Sequence, residues 1–198
     1  MTPGPSPASD YSENALVQQP AISLFGSLGW KTADLYNEWG GGKSTEGRET
    51  EHDVVLVPRL RAALVTLNPT VPAEALTQAV DALTRDRSKM IKEEANREVY
   101  RLLKDGVKVD VRRNDGSWDK ETVNVIDWRN AANNSFFLAS EFWIAGDMYR
   151  RRCDLVGFVN GIPLFLAELK ATHRNLRNAF DGNLTDYKVT SAFTVQRA

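Results

Sequence analysis

Residues 153–170 read "CDLVGFVNGIPLFLAELK". The stretch is apolar enough for a protein core, and Asn160 followed by Gly161 marks a hairpin turn near its centre. It nevertheless opens with Asp154 and closes with Glu168 and Lys170. The geometry of the turn decides which face these charges take. A two-residue turn pairs Val159 with Ile162 and sends Asp154 and Glu168 to opposite faces. A three-residue turn, with Gly161 as a left-handed bulge residue, pairs Phe158 with Ile162 and puts Asp154, Glu168 and Lys170 on one face. The second register is expected, because only it aligns the three charges. Asp154 then lies diagonal to Glu168, at roughly 7 Å between Cα atoms.

Two carboxylates brought together in a core repel, and each loses hydration at a cost of several kcal/mol. A divalent cation relieves both penalties. The donors are hard oxygens with no histidine or thiolate cluster, which points to Mg2+ with Mn2+ as a substitute. A lysine beside them orients a water or steadies a developing negative charge, as hydrolysis of a phosphodiester requires. On pattern alone, solvated strand ends explain the same residues equally well.

Working outward, "FFLASEFWIAGDMYRRRCDLVGFVNGIPLFLAELK" reads as three successive strands, the last two apolar on both faces as in a sheet covered on both sides. Upstream, "VKVDVRRNDGSWDKETVNVIDW" alternates around Asp115 and Gly116, a hairpin signal. Helices are expected from about residue 20, from about residue 59 to 67, after Pro72 with Leu76, Val80 and Leu83 on one stripe, and over "KEEANREVYRLLKDG". The glycine-rich polar stretch "YNEWGGGKSTEGRETEHD" reads as a loop. Together these give an α/β fold, a mixed central sheet flanked by helices, with residues 71–105 as a helical insertion. Residues 1–11 read as a disordered tail, 12–188 as one domain and 189–198 as a C-terminal tail.

The chain has 198 residues, 42% of them apolar and 26% charged, which suits one soluble domain. Its formal charge of -1 does not advertise a nucleic-acid binder, so any DNA contact must come from a local patch. The single cysteine, Cys153, forms no internal disulfide, the N-terminus lacks the pattern of a secretion signal, and no apolar run approaches the roughly 18 residues of a membrane span. A cytoplasmic protein with no membrane partner is expected. Cys153 and the tryptophans read as core residues, and His52 and His173 as surface or capping residues.

The segments "SENALVQQPAISLFGSLGW", "GRETEHDVVLVPRLRAAL", "LNPTVP" and "FVNGIPLFLAELK", followed by "NLTDYK", closely resemble the nuclease domain of the restriction subunit of type I restriction-modification enzymes, in the PD-(D/E)xK superfamily. The resemblance implies a restriction-endonuclease-like fold and cleavage of unmodified duplex DNA. It places metal ligands at Asp154, Glu168 and the backbone carbonyl of Leu169, and the catalytic lysine at Lys170. Glu13 matches an acidic position in the family's first helix that can sit near the metal, and its alternative is an N-terminal helix charge favoured by the dipole. Asn183 and Tyr187 match a polar-xxx-Tyr pair in which glutamine is usual, and Cys153 stands where the superfamily name has proline. Arg152, Arg174, Arg177 and Lys188 surround the motif as candidate phosphate contacts, with Arg150 and Arg151 beside them. The implied partners are duplex DNA and the methylation and specificity subunits. ATP would enter only through motor domains that are absent from this chain.

"GGGKST" at residues 40–45 resembles half of a P-loop, but Asn37 stands where the first glycine belongs, and Glu46, Glu49 and Glu51 would repel phosphate. Nucleotide binding is therefore not expected. Two rivals to the restriction reading are another nuclease of the same superfamily, serving repair or junction resolution, and an inactive truncated fragment that only docks on partners or DNA.

Overall fold

The computed structural model describes residues 14–113, 115–146 and 149–169. Glu13, Lys170, His173, Arg174, Arg177, Asn183, Tyr187 and Lys188, and both expected tails, lie outside the described residues.

A π-helical turn, Asn14–Gln18, leads into α1, Gln19–Ser27, which carries a proline in its first turn. The chain turns at Gly29, where φ is +87°, and enters the short strand β1, Lys31–Asp34. A loop then leads to α2, Val57–Leu67, again with proline in the first turn. Next come α3, Ala73–Thr84, and α4, Lys92–Asp105, which stops at Gly106. The hairpin β2, Val107–Arg112, and β3, Trp118–Val123, forms a sheet of its own. The chain ends its described course in β4, Phe136–Ala145, β5, Arg150–Val159, and β6, Ile162–Ala167.

The main sheet has the order β1-β4-β5-β6, with β1 parallel to β4 and the other pairs antiparallel. This is the mixed α/β arrangement expected. One core cluster joins α2, α3, α4 and the β2–β3 hairpin to Ile162 at the tip of the β5–β6 hairpin. A second lies on the main sheet, where Phe137, Phe142, Cys153, Val156 and Phe158 meet Leu35 and Leu56 from the loop before α2. Phe25 of α1 stacks on Phe165 and meets Trp30 edge-on, and Trp30 in turn contacts Phe136. Val80 and Leu83 are buried on α3, as their stripe requires. Cys153 is fully buried, but Trp118 and Trp128 are 68% and 63% exposed and do not belong to the core.

The hairpin turn differs from expectation. Val159 pairs with Ile162 across a two-residue turn, with φ of +52° at Asn160 and +82° at Gly161. Both positive values mark the turn whose twist suits a tight hairpin. The odd residue lies inside β6 instead: Phe158 faces Pro163 while Gly157 faces Phe165, which leaves Leu164 as a bulge. Pro163 has no N–H to give, so a ladder break beside it loses little. The shift seats Phe165 over Gly157, where an added Cβ would come within 2.7 Å of the ring. Beyond the bulge Val156 pairs with Leu166 and Leu155 with Ala167. Continued by one residue, that register would set Asp154 level with Glu168, not diagonal to it.

The tip is fixed from both sides. The fully buried Asn160 amide donates to the carbonyl of Val125 and to Asn134 Oδ1, each at 2.8 Å, and accepts from the Ser135 N–H at 2.7 Å. Gly161 accepts from the Leu56 N–H at 2.8 Å, and a Cβ there would lie 2.6 Å from Leu60 N and 2.7 Å from Leu56 O. Both obstacles are backbone atoms, and neither can swing aside. Gly161→Ala is therefore expected to lower stability by about 2–4 kcal/mol, combining left-handed strain with a clash. Urea denaturation checks this, and a loss below about 0.5 kcal/mol would show that the α2 contact yields.

Candidate functional site

Asp154 stands on β5, where the sheet departs from regular alternation. On β4, Phe137 and Ala139 lie in the same cluster as Phe142 and Ile144, although regular alternation would put the two pairs on opposite faces. On β5, Val156 and Phe158 share that cluster with Cys153, so this strand switches faces as well. Both switches fall at one level, because Ser140 pairs with Leu155 and Phe142 with Cys153, leaving Glu141 level with Asp154. Glu141 has φ of +56°, a left-handed conformation in the middle of a strand. Without the switch, Glu141 and Asp154 would both point into the apolar cluster. With it, they leave that cluster half-buried.

Hydrogen bonds then assemble the site around them. The Leu169 N–H donates to Asp154 Oδ2 at 2.7 Å, which brings the end of β6, and Glu168 with it, up to the aspartate. Gln18, at the foot of α1 and only 7% exposed, donates from Nε2 to Glu141 Oε1 at 2.8 Å and lies 3.4 Å from the carbonyl oxygen of Asp154. Arg152 Nε pairs with Glu141 Oε2 at 2.6 Å. The Arg152 guanidinium also lies against the rings of Tyr36 and Trp143, at 5.4 and 5.7 Å from their centroids.

Of the residues singled out in the sequence, the structure brings Leu169 to Asp154 and sets Arg152 beside it through Glu141, while Glu168 adjoins Leu169 in sequence. Among the described residues no three His, Cys, Asp or Glu side chains gather tightly enough to hold a metal. The candidate donor set is the carboxylates of Asp154 and Glu168 and the carbonyl of Leu169. That set fits a small hard cation such as Mg2+, which takes one or two protein carboxylates and keeps several waters. Gln18 and Glu141 were not singled out from the sequence. Glu141 carries a usable signal, as the one charged residue inside "FFLASEFWIA", whereas Gln18 has none.

The surrounding charges are largely matched. Arg150 pairs with Glu51 at 2.6 Å and lies 3.8 Å from the Trp143 ring centroid. The Arg150 hydrogen bond holds the Glu51 carboxyl below its ordinary range, and Glu51 raises Arg150 in return. Glu46 is paired with Arg59. The run that includes Glu46 and Glu51 thus braces arginines. The "GGGKST" stretch lies in the loop before α2 and opens no helix, and the Ser44 hydroxyl is bonded to Glu38. A cleft of about 620 Å3 between that loop and α3–α4, lined by Arg48, His52, Arg85 and Asn96 among others, does not include Asp154. No described helix is long and apolar enough to cross a membrane.

Residues 10–198 match the family model described as type I restriction enzyme R protein N terminus. The chain is 33% identical over 162 residues to the type I restriction enzyme HindI endonuclease subunit of Haemophilus influenzae, a match covering 78% of this chain and 14% of that protein. It is 27% identical over 201 residues to the putative type I restriction enzyme MjaIXP endonuclease subunit of Methanocaldococcus jannaschii, covering 91% of this chain and 17% of that one. The chain therefore spans less than a fifth of the length of these relatives.

Proposed function

This chain belongs to the family of type I restriction enzyme R protein N termini, and we propose that it is the part of a restriction subunit that hydrolyses phosphodiester bonds in unmodified duplex DNA with Mg2+. The observation that supports this reading is the hydrogen bond from the Leu169 N–H to Asp154 Oδ2, just past the β5–β6 register that runs to Leu155 and Ala167. In this proposal the carboxylates of Asp154 and Glu168 and the carbonyl of Leu169 hold the cation, and Mn2+ can replace Mg2+. When bound, the cation polarises the scissile phosphate and makes an attacking water more acidic. Lys170, next in sequence to Leu169, is assigned to orienting that water and steadying charge on the phosphate. Arg152, Arg174, Arg177 and Lys188 are proposed to contact DNA phosphates, Asn183 and Tyr187 to act in DNA binding or coupling, and Glu13 to approach the cation from the first helix. In the longer protein, an ATP-driven motor would feed DNA to this site, and modification and specificity subunits would choose it.

The test uses the complete subunit containing this segment, assembled with those two partners and given unmodified or modified plasmid. Cutting of the unmodified plasmid alone, dependent on ATP and abolished by chelating Mg2+, is the expected result. Cutting that survives chelation would contradict the proposed site.

The 198-residue chain by itself, with a net charge of -1, exerts little long-range pull on DNA. Its few arginine contacts weaken steeply as salt rises. The isolated chain is therefore expected to nick plasmid slowly, without ATP dependence, and to lose about 10-fold or more of that rate between 50 and 200 mM salt. Fast, sequence-specific cutting by the isolated chain would instead favour a self-sufficient nuclease.

A further inference from the structure

We infer that Glu141 is a positioning residue for Asp154, a role that rests on the nuclease reading of the site. A left-handed residue inside a strand is where glycine fits without strain, yet this position holds a glutamate with φ of +56°. Such a conformation persists only where the surroundings over-determine it, and such residues cluster at functional sites. Here the surroundings are visible. One carboxylate oxygen accepts from Gln18 at 2.8 Å and the other from Arg152 at 2.6 Å, with 14% of the side chain exposed. Gln18 in turn reaches the Asp154 carbonyl, and Arg152 is two residues from Asp154 on the same strand.

Glu141 is thereby a strut between the π-helical turn that leads into α1 and β5, level with the residue it holds. The switch of faces on β4 and β5 turns Asp154 out of the apolar cluster, and the strut limits how far Asp154 then moves. A metal-binding carboxylate needs that restraint, because small displacements of a ligand weaken both the cation's hold and the alignment of the attacked phosphate. Glu141 itself does not complete a three-acid cluster with its neighbours. It acts through Asp154 and Arg152.

The experiment compares Glu141→Gly and Glu141→Gln in the complete assembled subunit, reading DNA cleavage, ATP hydrolysis and melting temperature. Glycine keeps the backbone conformation without strain but removes the strut; strain relief offsets part of the two lost side-chain bonds, so melting should change by only a few degrees and ATP hydrolysis should stay intact. Cleavage kcat should fall about 10- to 100-fold, with a higher Mg2+ requirement and a smaller change in KM for DNA. Glu141→Gln keeps an acceptor for Gln18 but loses the charge that pairs Arg152, and should fall between glycine and the parent. Wild-type kcat in Glu141→Gly would overturn the inference, as would a parallel fall in cleavage, ATP hydrolysis and melting. The parent and Asp154→Ala run alongside. If the parent cuts and Asp154→Ala does not, the nuclease reading stands and a fully active Glu141→Gly refutes the strut alone.

Discussion

Asp154→Ala in the complete subunit is expected to lower DNA cleavage by about 1,000-fold or more while leaving ATP hydrolysis by the motor at its normal rate. The magnitude follows from the cation that the residue is proposed to hold. A catalytic cation supplies several kcal/mol of charge stabilisation in the transition state, and each 1.36 kcal/mol is tenfold in rate. Asp154 also anchors the end of β6 through the Leu169 N–H, so alanine would remove both the proposed ligand and the tether beside Glu168. Asp154→Asn separates the two effects: its amide oxygen still accepts from Leu169, but the charge that attracts the cation is gone. Both variants should be inactive, with the asparagine melting closer to the parent. Glu168→Ala should match Asp154→Ala, and Lys170→Ala should lose cleavage while retaining more Mg2+ affinity, since an ammonium is not a ligand. Normal restriction by any of these variants would remove that residue from the site.

The parts of this fold that the sequence announced are those set by local chemistry. Asn160 and Gly161 specify a hairpin because both must adopt positive φ, and Pro20, Pro58 and Pro72 stand at the starts of α1, α2 and α3. What stayed hidden is set by contacts between distant segments. The β6 bulge places Phe165 over Gly157 and against Phe25 of α1, and nothing within residues 153–170 encodes that requirement. The three-residue turn that the sequence reading expected does not occur, because the odd residue is taken up at Leu164 inside β6. β1 has no apolar alternation and exists because Lys31 to Asp34 pair with residues 137–140 of β4. Gln18 enters the site only because α1 is laid across the sheet. The fold class and the hairpin were thus legible, whereas the register beyond the turn and the contacts around Asp154 depended on tertiary packing.

The same distinction predicts where stability is most exposed to a single change. Arg48→Met is expected to destabilise the protein by about 3–5 kcal/mol, because it strands the buried carboxylate of Glu38. Both side chains of this pair are completely buried. Arg48 Nε and one terminal nitrogen bind the two oxygens of Glu38 at 2.9 and 2.5 Å, and further bonds reach the carbonyls of Trp143 at 2.9 Å and Asp53 at 3.1 Å. Its guanidinium lies 4.2 Å from the Phe142 ring centroid. One side chain therefore ties both ends of a long loop to β4, and that loop supplies Leu56 to the core and Glu51 to Arg150. Against a typical total of about 5–15 kcal/mol, the expected loss is a large share of the fold's stability. Arg48→Lys should fail nearly as badly, since an ammonium cannot reproduce the planar fork. Replacing both partners, as Glu38→Leu with Arg48→Met, should cost less than either single change, because no charge is left buried alone. Urea melts of the parent, Glu38→Leu, Arg48→Met and the double variant test this directly. Additive losses in the double variant would show that the two residues matter for their packing and not for their pairing.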